Sequence, residues 1–497
     1  MSNDGTLRKI GKGAFVFILG LAFSKLFGIF YKALVARTGP YNYGVLSLGI
    51  GIFGFFSMIA TMGLDLGVTK YVAYYRQKID DQRIKGIITS AMKLAFTFSL
   101  ILSIIGFFLA ETIAVRIFHN NDLVIVLRIL LLIIPFDALR KIFISTTKAF
   151  QYVKFETYSR DLIENLVKLG VTIVVMLIGA SVAGLSVAFA SGIIASFIAS
   201  VYFMERKVFP VFRTKIVSVK QYNELLTYSW PLLFTSLLFL LSLWTDSFLI
   251  GYFKDASVVG KFNAAGPIAF LVYFFPQALM AIFLPIITDL KASGDKETLE
   301  STYKTITRWI FISGLMVVAA IAIFNKNLIM FVFGDKYIEA SIPLIILAVG
   351  YFVNSYIFTA QRLLMAFDKT RLIFADTIVS FAVNILLASW LIPKYGMIGA
   401  ATATASSFAM LSIITMIQSK LIIKIKTLEK WYVFQAIPVI ATTSLIFYFR
   451  SYFQGLYFIL GILLIPMISL IIIYLTKGYS DIEKKLIIDA IGKLKKP

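Results

Sequence analysis

The stretch LYFILGILLIPMISLIIIYL, from Leu456 to Leu475, decides the fold. It runs for twenty residues without a charged side chain, which is long enough for an α-helix to cross the hydrocarbon core of a bilayer. A backbone amide in lipid finds no water to bond, so a span must be a helix or part of a closed barrel. The run lacks the two-residue alternation of a barrel strand, and it therefore predicts a transmembrane helix.

Similar apolar stretches follow one another from Ala14 onward, with short connections between them. Of the 497 residues 59% are hydrophobic and 15% charged, which is not the composition of a soluble domain. We predict an all-α polytopic membrane protein without a separate soluble catalytic domain. About fourteen transmembrane helices are expected, at residues 13–36, 44–64, 88–110, 123–143, 161–180, 184–204, 228–250, 262–285, 308–325, 341–360, 372–392, 397–417, 431–448 and 456–476.

The basic residues that give the net charge of +22 are distributed along the chain according to this topology. If the amino terminus is cytoplasmic, about 35 of the 48 Lys and Arg residues fall in cytoplasmic segments, about 8 in outer loops and about 5 in spans. This is the positive-inside distribution, and it removes the reason to propose nucleic-acid binding. We predict a multi-pass protein of the cell (plasma or inner) membrane with both termini cytoplasmic and the basic tail facing anionic lipid headgroups.

The chain has no cysteine and one histidine. Disulfides and thiolate metal sites are therefore excluded, and His119 lies in a short outer loop. No cytoplasmic segment carries a P-loop, a Gly-rich phosphate loop or a paired-acid motif. We expect no enzymatic activity, no cofactor and no metal. Energy would come from a coupling ion (H⁺ or Na⁺), from the membrane potential or from consumption of a product.

An internal repeat recurs at an offset of about 216 residues, or six helices. Because six is even, both copies enter the membrane from the same side and are related by a pseudo-two-fold axis along the membrane normal. Such paired lobes suit alternating access, in which a central cavity opens to each side in turn. Three matches carry the repeat: Arg37–Gly44 with Phe253–Gly260, Ala149-Phe150 with Ala366-Phe367, and GLSVAFAS at 184–191 with GAATATAS at 399–406.

The repeat predicts two six-helix lobes plus two C-terminal helices. The first lobe would cover residues 1–226 and the second residues 227–430. Residues 431–497 would form the two additional helices and the basic cytoplasmic tail.

Segments in a fixed order along the chain carry a resemblance to a known family: RTGPYNYG at 37–44, GLDLGVTKY at 63–71, DSFLIG at 246–251, VGKFN at 259–263, LMAFDKTR at 364–371 and LIPKYGMIGAATAT at 391–404. The chain resembles the polysaccharide and lipid-linked-oligosaccharide (Wzx-type) flippases of the multidrug/oligosaccharidyl-lipid/polysaccharide (MOP) exporter superfamily. The resemblance implies a fourteen-helix fold and a polyprenyl-phosphate-linked glycan moved from the cytoplasmic to the outer leaflet. It also implies other polysaccharide-assembly proteins as partners.

Lys25 is the leading candidate for binding an anionic phosphate or diphosphate. It lies about 12 residues, or roughly 18 Å, along the first helix and so near the bilayer centre. A charge at that depth costs a few kcal/mol, roughly, unless it faces a wet cavity or a partner. Lys32 follows at i+7 on the same face. The alternatives are an ion pair for Lys25 and snorkelling to the surface for Lys32.

Two further cations have a structural explanation beside a cargo-binding one. Arg128 lies close to the outer end of helix four, so its guanidinium could snorkel to the interface. Lys168 follows Glu164 by four residues, the favourable order for an ion pair within one helix.

Other ionisable and aromatic residues complete the candidate site. In helix seven, Trp244 could stack on a sugar, and Asp246 could hydrogen-bond it or couple transport to a cation. The alternative for Asp246 is a latch with a basic residue of the first lobe. Asp137 with Arg140 and Lys141 is predicted to form an interfacial ion pair.

Three other functions are weighed. A cation-coupled multidrug (MATE-like) exporter would favour an acid in helix one, where this chain has Lys25 and Lys32. The segment Ser24–Gly28 also resembles the lipid II flippase branch, yet helix two has no charge where that branch tends to bring a second basic residue. An integral-membrane glycosyl- or acyltransferase would need an acid or histidine site near the surface.

Overall fold

The computed structural model describes residues 27–424 and 431–475, and within these ranges the chain forms helices and turns but no strand. The α-helices are α1 Phe27–Ala36, α2 Pro40–Thr61, α3 Leu64–Gln77, α4 Asp81–Glu111, α5 Asp122–Leu132, α6 Ile134–Ala149, α7 Lys154–Glu156, α8 Glu164–Leu177, α9 Val182–Phe203, α10 Tyr222–Phe253, α11 Ala256–Ala269, α12 Phe274–Ser293, α13 Lys296–Val332, α14 Ser341–Ala366, α15 Thr370–Gln418, α16 Trp431–Tyr448 and α17 Phe458–Leu475.

The helices agree with the predicted spans. Every span from the second to the fourteenth coincides with one described helix or with consecutive ones. Spans eleven and twelve both lie in α15, which is interrupted at Gly396 (φ 55°, ψ −130°), a conformation that glycine adopts readily. The expectation of an all-α, multi-pass membrane protein is confirmed.

The described residues form two compact units that divide between Ala264 and Ala265. In the first unit, buried side chains of α3, α4 and α6 form a core around Val68, Ile87 and Phe143. The second unit contains one core around Phe283 and Tyr303 and another where α13 packs against α16 and α17. The lobe boundaries drawn from the repeat stay a prediction.

The repeat is visible in the first unit where two corresponding glycines, Gly44 and Gly260, each lie against the backbone of the other's helix. A Cβ on Gly44 would lie 1.6 Å from the carbonyl oxygen of Ala256, and a Cβ on Gly260 would lie 2.0 Å from that of Pro40. The same offset of 216 residues relates both pairs. Only glycine allows backbones to approach this closely, so the matching sequences reflect a matching contact between α2 and α11.

Two backbone irregularities position charged side chains in the first unit. The fourth predicted span breaks at Ile133, between α5 and α6. Pro135 and Asp137 both lie in the first turn of α6, where the unpaired N–H groups favour a carboxylate. A π-helical turn at Thr157–Ile163 precedes α8. This wider turn contains an extra residue and therefore sets which face of α8 carries Glu164.

Candidate functional site

Five charged side chains of alternating sign form a continuous chain inside the first unit, here called the charged chain: Lys141, Asp137, Arg140, Glu164 and Lys168. Arg140 is its centre, because Nε donates to Asp137 Oδ1 (3.0 Å) and Nη1 donates to Glu164 Oε2 (2.6 Å). At the ends, Lys141 Nζ lies 3.0 Å from Asp137 Oδ2 and Lys168 Nζ lies 2.5 Å from Glu164 Oε1. Three cations against two anions leave one positive charge in excess.

Four of the five side chains of the charged chain are buried, and that of Lys141 is 29% exposed. Asp137 is 2% exposed and Lys168 6%, and Arg140 and Glu164 are buried as well. Burying a lone charge costs several kcal/mol, roughly, so the alternating order is what makes the arrangement stable. On α2, the hydroxyl of Ser57 donates to Asp137 and accepts from Lys141 (2.8 Å), which links a third helix to the chain.

The Lys168 end has an aromatic and hydroxyl environment. Nζ lies 4.1 Å from the ring centroid of Phe189 and 6.0 Å from that of Tyr31. The hydroxyls of Tyr31 and Thr172 are buried and hydrogen-bond to no residue that the structure describes. On α9, a Cβ at Gly192 would lie 2.3 Å from Lys168 Cγ, so glycine makes room for the lysine. An ammonium and two hydroxyls are donors suited to phosphate and sugar oxygens.

Among the predicted site residues, only Lys168 belongs to the charged chain. Its expected ion pair with Glu164 is confirmed. Lys25 lies outside the described residues. Lys32 lies on α1 with its side chain exposed. The cargo-binding roles of all three lysines stay predictions.

Arg128 belongs to a different ion pair. Its Nη2 atom lies 3.5 Å from Glu111 Oε2, and its guanidinium lies 5.4 Å from the ring centroid of Phe107. Both charged side chains are well exposed, with Arg128 at 40% and Glu111 at 70%. A partner on α4 thus accounts for Arg128 in addition to its place near a helix end.

Trp244 and Asp246 both lie on α10. The Trp244 ring stacks on Phe248, with centroids 6.2 Å apart, and a Cβ on Gly51 would lie 2.7 Å from the Trp244 ring. Trp244 therefore packs α10 against α2. Asp246 is half-buried, next to the buried Ser247, whose hydroxyl donates to Asn263 Oδ1 at 3.0 Å. Sugar stacking and cation coupling at these residues stay predictions.

The sequence predicted an interfacial pairing of Asp137 with Arg140 and Lys141; the structure confirms the pairs and buries Asp137 and Arg140 inside the first unit. Sequence reasoning missed the bond from Arg140 to Glu164, which joins two separate ion pairs into the charged chain. The signal in the sequence was incomplete, because helical spacing identifies partners only within one helix. Across the described ranges, no group of three or more His, Asp or Glu residues could hold a metal ion.

The profile of a known family, described as polysaccharide biosynthesis protein, matches residues 10–291, more than half of the chain. The chain belongs to the polysaccharide biosynthesis protein family. A second profile, MatE, matches residues 231–390.

Two curated relatives of this family member come from Haloferax volcanii. The probable low-salt glycan biosynthesis flippase Agl15 is 30% identical over 169 residues, which is 33% of this chain and 35% of Agl15. The probable flippase AglR is 25% identical over 176 residues, or 34% of this chain and 36% of AglR. The matches span about a third of the length of these relatives.

Solved structures share the fold of this family member over most of its length. The lipid II flippase MurJ, in an inward closed conformation, gives a TM-score of 0.72 at 16% identity and covers 92% of this chain and 97% of MurJ. An inward-facing multidrug resistance MATE transporter of the MOP superfamily gives 0.69 at 16% identity and covers 81% of this chain and 94% of that transporter. The fold is that of the MOP superfamily, and the resemblance drawn from the sequence motifs is confirmed.

Proposed function

We propose that this protein flips a polyprenyl-(di)phosphate-linked oligosaccharide from the cytoplasmic to the outer leaflet of the cell membrane by alternating access. The observation that carries the proposal is the charged chain, which has one positive charge in excess and buries four of its five side chains among the helices of the first unit. A diphosphate and its sugars must cross hydrocarbon, whereas a prenyl tail can stay in lipid. Ammonium and hydroxyl donors at Lys168, Tyr31 and Thr172 complement such a headgroup.

The comparisons support the same class of activity. The family is described by polysaccharide biosynthesis, and both Haloferax relatives carry the name flippase. Together with the absence of a catalytic motif from the cytoplasmic sequence segments, this favours a transporter over a glycosyl- or acyltransferase. Cell-surface polysaccharide assembly is the process that such a transporter would serve.

A multidrug exporter is the second candidate, because the MatE profile and a MATE structure both match. Its organic-cation cargo would require an excess of acids in the interior. The charged chain has the opposite sign, which favours an anionic cargo. A lipid II flippase fits the anionic requirement, although helix two brings no basic residue into the membrane.

The test is a flipping assay in proteoliposomes with a fluorescent polyprenyl-diphosphate oligosaccharide. Lys168→Met and Lys25→Ala are each expected to reduce flipping more than tenfold while the purified protein stays folded. The matched control is Lys148→Gln, which removes a lysine that pairs with Glu156 (2.9 Å) and lies outside the charged chain. Full flipping by both test variants, or export of an organic cation without glycan movement, would overturn the proposal.

A further inference from the structure

The buried ammonium of Lys168 already holds an anion. The Glu164 carboxylate lies 2.5 Å from it, one turn earlier in the same helix, and both side chains are buried. A lone ammonium at this position would be strongly unfavourable, so Glu164 stabilises the site when no cargo is bound. A phosphate oxygen that bound this ammonium would have to compete with the carboxylate.

Glu164 also has a second cation. Arg140 donates from Nη1 to Glu164 Oε2 at 2.6 Å, and Asp137 holds Arg140 from the other side. If Lys168 turns to another anion, Glu164 keeps the guanidinium as its partner. The chain can therefore release Lys168 without leaving a carboxylate unpaired, which is the physical condition for an exchange of partners.

We propose that Glu164 is a resident counter-anion, which the diphosphate of the cargo displaces from Lys168 while Arg140 retains the displaced carboxylate. This inference rests on the proposed function and assigns Glu164 as a positioning residue that sets cargo affinity. Because the Lys168–Glu164 pair must break on binding, it weakens cargo affinity. The same pair re-forms on release, so Lys168 is never left without an anion and the cargo can leave at the far leaflet.

The test measures binding of farnesyl diphosphate to the full-length protein in nanodiscs. Glu164→Gln keeps the side-chain shape and removes the competing charge. We expect about tenfold tighter binding, equivalent to about 1.4 kcal/mol, together with slower flipping because release becomes slower. Glu164→Asp restores a carboxylate and should return both quantities towards those of the wild type. A purely structural role would lower affinity and flipping together.

The matched control is Glu156→Gln. Glu156 is also buried and also lies between two cations, Lys148 at 2.9 Å and Arg160 at 2.8 Å, but it does not contact Lys168. Its replacement should leave farnesyl diphosphate binding unchanged. An equal rise in affinity in Glu156→Gln would show that net charge, and not the ion pair at Lys168, controls binding. That result would overturn the inference.

Failure of the inference and failure of the proposed function give different results. If neither wild type nor Glu164→Gln binds farnesyl diphosphate and no glycan is flipped, the proposed function fails. If the wild type binds and flips but Glu164→Gln binds no tighter, the resident counter-anion alone is wrong. Should Glu164→Gln not fold, the double variant Glu164→Gln/Arg140→Gln replaces it, because it keeps the net charge of the charged chain. The same rise in affinity for farnesyl diphosphate is expected, and its absence would overturn the inference.

Discussion

The two units contain the same helix pair with different chemistry. In the first unit, Lys168 on α8 lies over Phe189 on α9. In the second, Asn384 in the first half of α15 donates to Thr404 Oγ1 in its second half at 3.2 Å. The repeat relates Lys168 to Asn384 at an offset of 216 residues and Phe189 to Thr404 at 215. The same contact is thus made once by an ammonium and once by an amide.

A second pair of corresponding residues is also in contact in both units. In the first unit, a Cβ on Gly192 would lie 2.8 Å from the backbone carbonyl oxygen of Glu164. In the second, Ser380 donates to the carbonyl oxygen of Ser407 at 3.2 Å. The repeat relates Glu164 to Ser380 and Gly192 to Ser407. The two helix pairs therefore share their register as well as their sequence pattern.

Every charged position of the charged chain is neutral in the second copy. With the offset of 217 that relates Ala149 to Ala366, and of 216 in the next helix, the counterparts are Asn354, Ile357, Phe358, Ser380 and Asn384. The second unit shows that the counterpart helices pack without charge at these five positions, although α15 buries Asp376 elsewhere, where its carboxylate accepts from Gln418 at 2.8 Å. The packing of the repeat therefore does not by itself require charges at these five positions.

The largest effect is expected from breaking the centre of the charged chain. Arg140→Met leaves Asp137 and Glu164 without their shared cation, at a cost of about 3–5 kcal/mol. We expect little folded protein, measured as thermal unfolding of the purified protein in detergent. Arg160→Met is the control, because its side chain is 46% exposed and Glu156 keeps Lys148. Similar melting of the two variants would contradict the central role of Arg140.

A somewhat smaller effect is expected from adding charge to the neutral copy. Asn384→Lys places an ammonium without a counter-ion in a buried position, which costs about 2.5–3.5 kcal/mol on insertion scales. Ser380→Glu/Asn384→Lys adds the carboxylate one turn earlier and should recover part of the loss. A higher melting temperature for the double variant than for the single one would support the correspondence between the two helix pairs. A lower melting temperature for the double variant would contradict that correspondence.

Converting the first copy to the chemistry of the second should affect stability less. Glu164→Ser/Lys168→Asn removes an anion and a cation together and leaves Arg140 paired with Asp137. We expect unfolding within about 1 kcal/mol of the wild type, because well-matched neutral replacement of a buried pair is often tolerated. Flipping should be lost. A double variant that is as unstable as the sum of its single variants would show that the charges serve the fold.

The smallest effect is expected at an exposed ion pair of the second unit. Lys291 Nζ lies 2.8 Å from Asp368 Oδ2, and the Asp368 side chain is 87% exposed. Lys291 lowers the pKa of Asp368, so the pair stabilises the fold above the ordinary carboxylate pKa, about 3.9, and this contribution is lost as the pH falls through the folded value. Asp368→Asn should leave the melting temperature at pH 7 nearly unchanged. A shift as large as that of Arg140→Met would remove the contrast between buried and exposed charge.

Much of this comparison could be read from the sequence. Apolar stretches predicted the spans, and the match of GLSVAFAS with GAATATAS predicted the repeat. The spacing of Glu164 and Lys168 predicted their ion pair. What could not be predicted is the bond from Arg140 to Glu164, because it joins two helices and depends on how they pack. Burial of the charged chain could not be predicted either, because it requires the helix break at Ile133 and the π-helical turn before Glu164.

That π-helical turn makes the chemistry of α8 depend on how the backbone before it is wound. If regular α-helical hydrogen bonding ran through Thr157–Ile163 with no residue removed, all that follows would rotate by about 100°, the angle per residue of an α-helix. Glu164 and Lys168 would then turn away from Arg140 and Phe189. Deletion of one residue within the turn would instead remove the extra residue and leave the faces of α8 nearly unchanged, whereas a residue inserted after the turn would rotate α8 and is expected to abolish activity.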